Sequence, residues 1–176
     1  MNQRLSAAIL AAVRPIPDHP SVGITFQDIT PVLADAGLFR RVIEEMASPF
    51  LPARVTHVVG IEARGFILGA PVAAWLGTGF IPARKPGKLP WKTMREEYTL
   101  EYGTDALEAH RDAVPGRSRV LVVDDVLATG GTARAAGALI RRLGGELVGW
   151  TFLLEIAALR GRRRLAGAPV HVLASR

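Results

Sequence analysis

Two aspartates in succession, Asp124 and Asp125, followed by the run VLATGGT at residues 126–132, carry the clearest chemistry in this 176-residue chain. The four residues before them, VLVV, are aliphatic and mostly β-branched, so residues 119–124 read as a strand inside a sheet. Carboxylates arriving together at the end of such a strand need something to accept their like charge. Vicinal sugar hydroxyls or a hydrated cation would do so. In the following loop, small residues let the backbone approach an anion closely, and the Thr129 and Thr132 hydroxyls can donate to it. A helix expected over 132–143 adds the positive end of its dipole. Acidic groups for a sugar beside a cradle for an anion describe a site for a sugar 5-phosphate. The nucleotide loop GxxxxGK[ST] is absent, and no GxGxxG follows a strand. Either the glycines or the aspartates alone would fit an ordinary strand–turn–helix with an N-capping threonine.

Elements able to position such a site are legible along the chain. Helical periodicity covers residues 4–13, where Arg14-Pro15 ends it, because the residue before proline is pushed out of the helical region. It returns over 36–47 with a stripe of Leu38, Val42, Ile43 and Met46, and again over 66–76. Strands are expected over 55–61, 79–84, 119–124 and 147–154. Residues 15–32, with four prolines, read as an irregular surface loop. Strands alternating with helices predict an α/β fold whose mostly parallel sheet is covered on both faces. Ligands of such sheets lie beyond the carboxyl ends of the strands, which singles out residues 60–62, 82–84 and 123–125. The charged stretch from 85 to 119, with a hairpin near 97–107, has the character of a lid or binding loop.

Length and a 49% hydrophobic content suit one domain with a substantial core. The chain has no cysteine, which removes disulfides and thiolate metal sites and fits a reducing, cytoplasmic setting. The short apolar run near the N-terminus is followed by Arg14, Pro15, Pro17 and Asp18, the pattern of an amphipathic helix rather than of a cleaved signal. No segment approaches the ~20 apolar residues of a membrane span. The net charge of +6 invites a nucleic-acid partner, but the densest basic run, 160–164, has no aromatic residue interleaved. That run reads as a solvated helix face or a phosphate-contacting surface. The three lysines, Lys85, Lys88 and Lys92, fall within eight residues of one another. No two histidines have metal-ligand spacing, and His57 reads as a core or edge histidine of a strand.

The string DDVLATGGT resembles the phosphoribosyl diphosphate signature of type I phosphoribosyltransferases. GITFQDITPVL (23–33), VVGIEARGF (58–66), ARKPGKLPWKT (83–93), YTLEYGTDALEAH (98–110) and TFLLEIAALRGRRRL (151–165) are similar to successive signatures of the adenine phosphoribosyltransferases. The resemblance spans nearly the whole chain. It implies a single type I phosphoribosyltransferase domain over 1–176. Its parts would be an N-terminal hood of about residues 1–33 and a core of about 34–155. A mobile flap of about 85–105 and a C-terminal segment of about 156–176 complete it. The implied reaction joins adenine to phosphoribosyl diphosphate, giving AMP and diphosphate. Magnesium would be carried mainly by the phosphoribosyl diphosphate, with no dedicated protein metal site, and the enzyme would act as a homodimer without nucleic acid or membrane.

The roles implied for individual residues follow their chemistry. Asp124 and Asp125 hold the ribose. Ala128, Thr129, Gly130, Gly131 and Thr132 hold the 5-phosphate, with Leu127 in the same substrate-binding loop. Arg64, Arg84 and Lys88 suit the diphosphate, arginine as a fixed fork of donors and lysine as a mobile point charge. Glu62 and Ala63 form the diphosphate turn, where a non-proline cis peptide is expected. Arg64 is also a catalytic candidate, because a departing polyanion needs preorganised charge. Lys85 belongs to the basic flap that excludes water. Glu101 is the candidate general acid/base toward N7 of adenine, flanked by Tyr98 and Tyr102. Phe26 can stack on the base while the backbone near Ile24, Thr25 and Gln27 reads its edge. Gln27, where the family usually has arginine, and Trp91, where it commonly has a smaller or polar residue, depart from the pattern. Two alternatives stay open: another purine base, or a non-catalytic regulator that senses phosphoribosyl diphosphate.

Overall fold

In a computed structural model of the chain, residues 2–100 and 103–176 are described, so Glu101 and Tyr102 lie outside the described residues. The central sheet has five strands: β3 (His57–Ile61), β4 (Gly79–Ala83), β7 (Arg119–Leu127), β8 (Glu146–Glu155) and β9 (Val170–Ser175). They run parallel in the order β4-β3-β7-β8-β9. The strand order turns back between β3 and β7, and in sheets of this type the ligand crevice opens at such a switch point.

Alternation along β7 explains how both faces are covered. Leu121 and Val123 point into a core shared with helices α1 (Gln3–Ala12), α3 (Ala36–Ala47) and α4 (Arg64–Leu76). Val120 and Val122 point into a second core, closed by helix α5 (Gly131–Arg142) and by an antiparallel hairpin of β5 (Thr93–Leu100) and β6 (Gly103–His110). Each such aliphatic side chain contributes about 1.5–3 kcal/mol on burial. This two-sided burial is why the strand reads as a continuous apolar run and why it holds its end firmly.

Local signals set the helices. The Asn2 side chain accepts from the Leu5 amide at 3.2 Å and so caps α1, whose Leu5 and Ile9 are buried one turn apart. Asp35 accepts from the amides of Gly37 and Leu38 at 2.9 Å and starts α3, which buries the expected stripe Leu38, Val42, Ile43 and Met46. Gly77, in the left-handed conformation at φ 67°, ends α4.

Four expectations need correction. The stretch 15–32 is not irregular throughout: β1 (Arg14–Ile16) pairs antiparallel with β2 (Phe26–Asp28), and the short helix α2 (Thr30–Ala34) follows. Long-range pairing supplies what local sequence did not signal there. The acidic strand does not stop at 124 but runs to Leu127, with Val126 in register with Leu154, so both aspartates sit within the strand's last residues. Strand β9 has no counterpart in the sequence reading. Finally, the arginine run, read as a solvated helix face or a phosphate-contacting surface, is solvated but lies on a short 3-10 turn over Gly161–Arg164 rather than on an α-helix.

Candidate active site

Two chain reversals at the carboxyl edge of the sheet build the site. At the end of β3, Gly60 leaves room that a Cβ would deny, since it would meet the Gly65 carbonyl oxygen at 2.9 Å. The peptide bond between Glu62 and Ala63 is cis, and α4 begins at once with Arg64. Gly65 lets the helix start press against β7, because a Cβ there would lie 2.9 Å from Oδ1 of Asp124. The acidic strand end and the arginine turn are thereby brought into contact. At the end of β7, Gly130 takes φ 79° and caps α5 with no side-chain acceptor. Ala63 likewise offers α4 no side-chain cap. Two helix N-termini thus point unclaimed amides at one region, which is where anions bind.

Most residues singled out by sequence come together here. Ile24, Thr25, Phe26, Gln27, Glu62, Ala63, Arg64, Lys85, Asp124, Asp125, Ala128, Thr129 and Thr132 line one cleft of about 890 Å³. Leu127, Gly130 and Gly131 line an adjoining hollow of about 70 Å³ formed by the loop itself. Arg84 and Lys88 line neither.

Arg64 joins the two ends of the cleft. Its guanidinium carbon lies 4.7 Å from the centroid of the Phe26 ring, and Nη1 donates to the Gln27 carbonyl at 3.4 Å. Nε sits 2.8 Å from Oδ2 of Asp125, close enough for an ion pair but not aligned as a hydrogen bond. The Asp125 oxygen is buried with no hydrogen-bond partner, a costly state for a carboxylate without a ligand. Burial, with the neighbouring Asp125 charge, pushes the Asp124 carboxyl well above its usual value. Burial also pushes Asp125 up, against the opposing pull of Arg64.

Arg84 and Lys85 are also paired with carboxylates. Arg84 meets Glu62 through Nε at 3.3 Å and Nη2 at 3.0 Å, and donates to the Lys88 carbonyl at 3.0 Å. Hydrogen bonding from Arg84 holds Glu62 below its usual range despite partial burial. Glu62 accepts from the Lys85 amide at 2.8 Å as well. The Lys85 ammonium contacts Asp105 and donates to the Tyr98 hydroxyl at 2.7 Å. Burial is the largest single influence and would lower Lys85 and raise Asp105. Their mutual hydrogen bond, the Tyr98 hydroxyl, the Ala106 amide on Asp105 and the attraction of opposite charge together outweigh it, leaving Lys85 raised and Asp105 lowered.

Sequence reasoning missed one wall of the cleft. Ile156, Ala158 and Leu159 line it, and Leu159 is 45% exposed, as is Ile24. The rule that pointed to other strand ends applies equally to the end of β8 at Glu155 and would have found them. Gln27 has a partner that no local pattern shows: its Oε1 accepts from Nη1 of Arg176 at 2.8 Å, and Nη2 of Arg176 donates to the Leu10 carbonyl at 2.9 Å. Trp91 is half exposed and packs edge-on against His110, away from the cleft lining. Among the described residues, no three His, Cys, Asp or Glu side chains gather as a metal cage.

An open α/β crevice at a switch point, with one acidic strand end and two anion-binding turns, defines a class of sugar-phosphate enzymes. The family model for the phosphoribosyl transferase domain matches residues 33–166. An adenine phosphoribosyltransferase of Myxococcus xanthus is 58% identical over 169 residues, covering 96% of this chain and 92% of that protein. The crystal structure of adenine phosphoribosyltransferase from Rhodothermus marinus, 50% identical, superposes with a TM-score of 0.95 over 99% of this chain and 100% of that one. The Saccharomyces cerevisiae enzyme, solved with adenine and an imino-altritol bisphosphate, is 38% identical, with a TM-score of 0.91 over 97% and 99% of the two chains. The chain belongs to the adenine phosphoribosyltransferase family.

Proposed function

We propose that the protein transfers the 5-phosphoribosyl group from phosphoribosyl diphosphate to adenine, releasing diphosphate and forming AMP in purine salvage. The observation that carries this reading is the single cleft whose apolar end holds Phe26, Ile24 and Leu159 and whose polar end holds Asp124, Asp125 and the loop 128–132. A flat base suits the first end, with backbone groups at 24–27 to read its edge. Vicinal hydroxyls and a phosphate suit the second.

The transferred sugar becomes cationic as its bond to diphosphate breaks, so charge must be stabilised at the departing group. Arg64 and the start of α4 serve the diphosphate, and when the hairpin closes Arg84 and Lys85 move to it from their present partners and Lys88 joins them. Closure excludes water, which would otherwise hydrolyse the donor. Glu101 exchanges a proton with N7 of adenine, an assignment supported by its motif. Magnesium carried on the donor would supply positive charge to offset the diphosphate. The Asp125 oxygen that accepts no hydrogen bond and its neighbour Asp124 fit ribose hydroxyls or the water shell of that cation. The exposed α4 face, with Ile67 at 45% and Trp75 at 42%, supports a homodimer. The cysteine-free chain suits the cytoplasm.

A base panel with phosphoribosyl diphosphate and magnesium, following diphosphate release, tests the reading. Turnover with adenine is expected. Turnover with guanine or hypoxanthine instead would overturn the base assignment, and binding without turnover would make the protein a sensor.

A further inference from the structure

Within the arginine run, the glycine is the member that touches the site. Gly161 is buried while Arg160, Arg162, Arg163 and Arg164 are exposed. Its main chain lies directly against the loop that follows the acidic pair. A Cβ on Gly161 would overlap the Ala128 carbonyl oxygen and come within 2.9 Å of the Gly130 amide nitrogen. Reciprocally, a Cβ on Gly130 would fall 2.5 Å from the Gly161 carbonyl oxygen. Gly161 is not among the residues of positive φ, so its own conformation does not call for glycine. Only the space does. Backbone facing backbone cannot yield by changing a rotamer, so any added atom must displace the loop.

Arg162 accounts for why the turn stays in place. Its Nε and Nη2 donate to the two Glu155 oxygens at 3.3 and 2.9 Å, and Nη1 donates to the Val170 carbonyl at 2.8 Å. One side chain therefore fastens the turn to the end of β8 and the start of β9. A fork of this geometry is particular to arginine.

We propose that Gly161 is a positioning residue for the phosphate loop and Arg162 the tether that holds it there. The inference rests on the reading that residues 128–132 bind the 5-phosphate. The loop's shape is then set by a glycine from a distant part of the chain as well as by its own glycines. The part of the run that mattered for phosphate is the residue without a side chain.

Steady-state kinetics on the full chain, varying phosphoribosyl diphosphate and adenine separately, test this with Gly161→Ala, Arg162→Ala and Arg162→Lys. Thr132→Ala, inside the loop, reports on the underlying reading. Gly161→Ala is expected to raise KM for phosphoribosyl diphosphate by about tenfold or more while KM for adenine stays within about twofold. Arg162→Ala should act in the same direction but less, and Arg162→Lys should recover part of the loss. If Gly161→Ala does not fold, Arg162→Ala decides by the same split. The proposal is overturned if both KM values rise together, or if neither moves while Thr132→Ala raises KM for phosphoribosyl diphosphate. If Thr132→Ala leaves that KM unchanged, the phosphate reading itself fails and takes the inference with it.

Discussion

The turn after β3 and the loop after β7 both open an uncapped helix onto the cleft, yet they prepare for an anion in opposite ways. The first carries charged side chains already satisfied: Arg84 on Glu62, and Arg64 beside Asp125. The second has only amides and hydroxyls in its loop, and of the acidic pair before it Asp124 is half-buried while Asp125 is buried with one oxygen that accepts no hydrogen bond. Their carboxyls shift accordingly, Glu62 downward because Arg84 bonds to it and Asp124 upward because burial and Asp125 disfavour its charge. A leaving group must be gripped and then released, which suits cations with partners to return to. A phosphate that stays on the product through the reaction needs only a fixed cradle. On the proposed reaction the first region would exchange partners, and the second would receive one.

The largest effect should come from the residue that spans both regions. Arg64→Ala strands the buried Asp125 carboxylate and removes charge from the turn. We expect kcat/KM for phosphoribosyl diphosphate to fall by about 10²–10³-fold, with little recovery in Arg64→Lys. A loss below tenfold in steady-state assays would separate the two regions. Glu62→Gln should weaken the hold on Arg84 and leave more cation for diphosphate. Product inhibition by diphosphate should tighten by about three- to tenfold, a change worth about 1 kcal/mol. Weaker inhibition would mean that Glu62 orients Arg84 rather than competing for it.

Stability should show the opposed shifts directly. Because the folded Asp124 value lies above its ordinary 3.8, the fold favours the protonated form, and the associated stability is lost as pH rises through the folded value. Asp124→Asn should therefore raise the melting temperature of the ligand-free protein at pH 7 by a few degrees, with the gain shrinking toward pH 4. Glu62 runs the other way: its contribution is present above its ordinary 4.5 and is lost as pH falls through the lower folded value. Equal melting temperatures for Asp124→Asn and the parent across that range would remove burial as the cause. The smallest effect belongs to the base end. Arg176→Ala should raise KM for adenine about twofold, an exposed hydrogen bond being worth under about 1 kcal/mol, and Gln27→Ala should add nothing to it. Additive losses would show that the two side chains act separately.

Much of this was readable before any coordinates. The aliphatic run ending in Asp124 and Asp125 announced a buried strand with its chemistry at one end, because a two-sided parallel strand must be apolar throughout its interior. The glycines and threonines after it announced an anion cradle, because only small residues admit close backbone approach. The helices over 36–47 and 66–76 followed from apolar periodicity, which is local, whereas their caps at Asp35 and Gly77 emerged only in the structure. The ribbon of β1 and β2 was not legible, since three-residue strands owe their existence to each other rather than to periodicity. Strand β9 was missed for a similar reason, as it completes the sheet edge beside β8.

By itself, then, the sequence determined which residue types stand at which strand ends, and with them the small-residue loop after β7 and the general plan of the fold. Those are matters of spacing along one chain. Tertiary structure alone decided which cation rests on which carboxylate, that Leu159 and Ile156 line the cleft, that Arg176 reaches Gln27, and that Gly161 backs the loop after β7. Each of these joins residues far apart in the chain. Contacts of that kind depend on how β8 and β9 lie against β7, and no local pattern encodes that geometry.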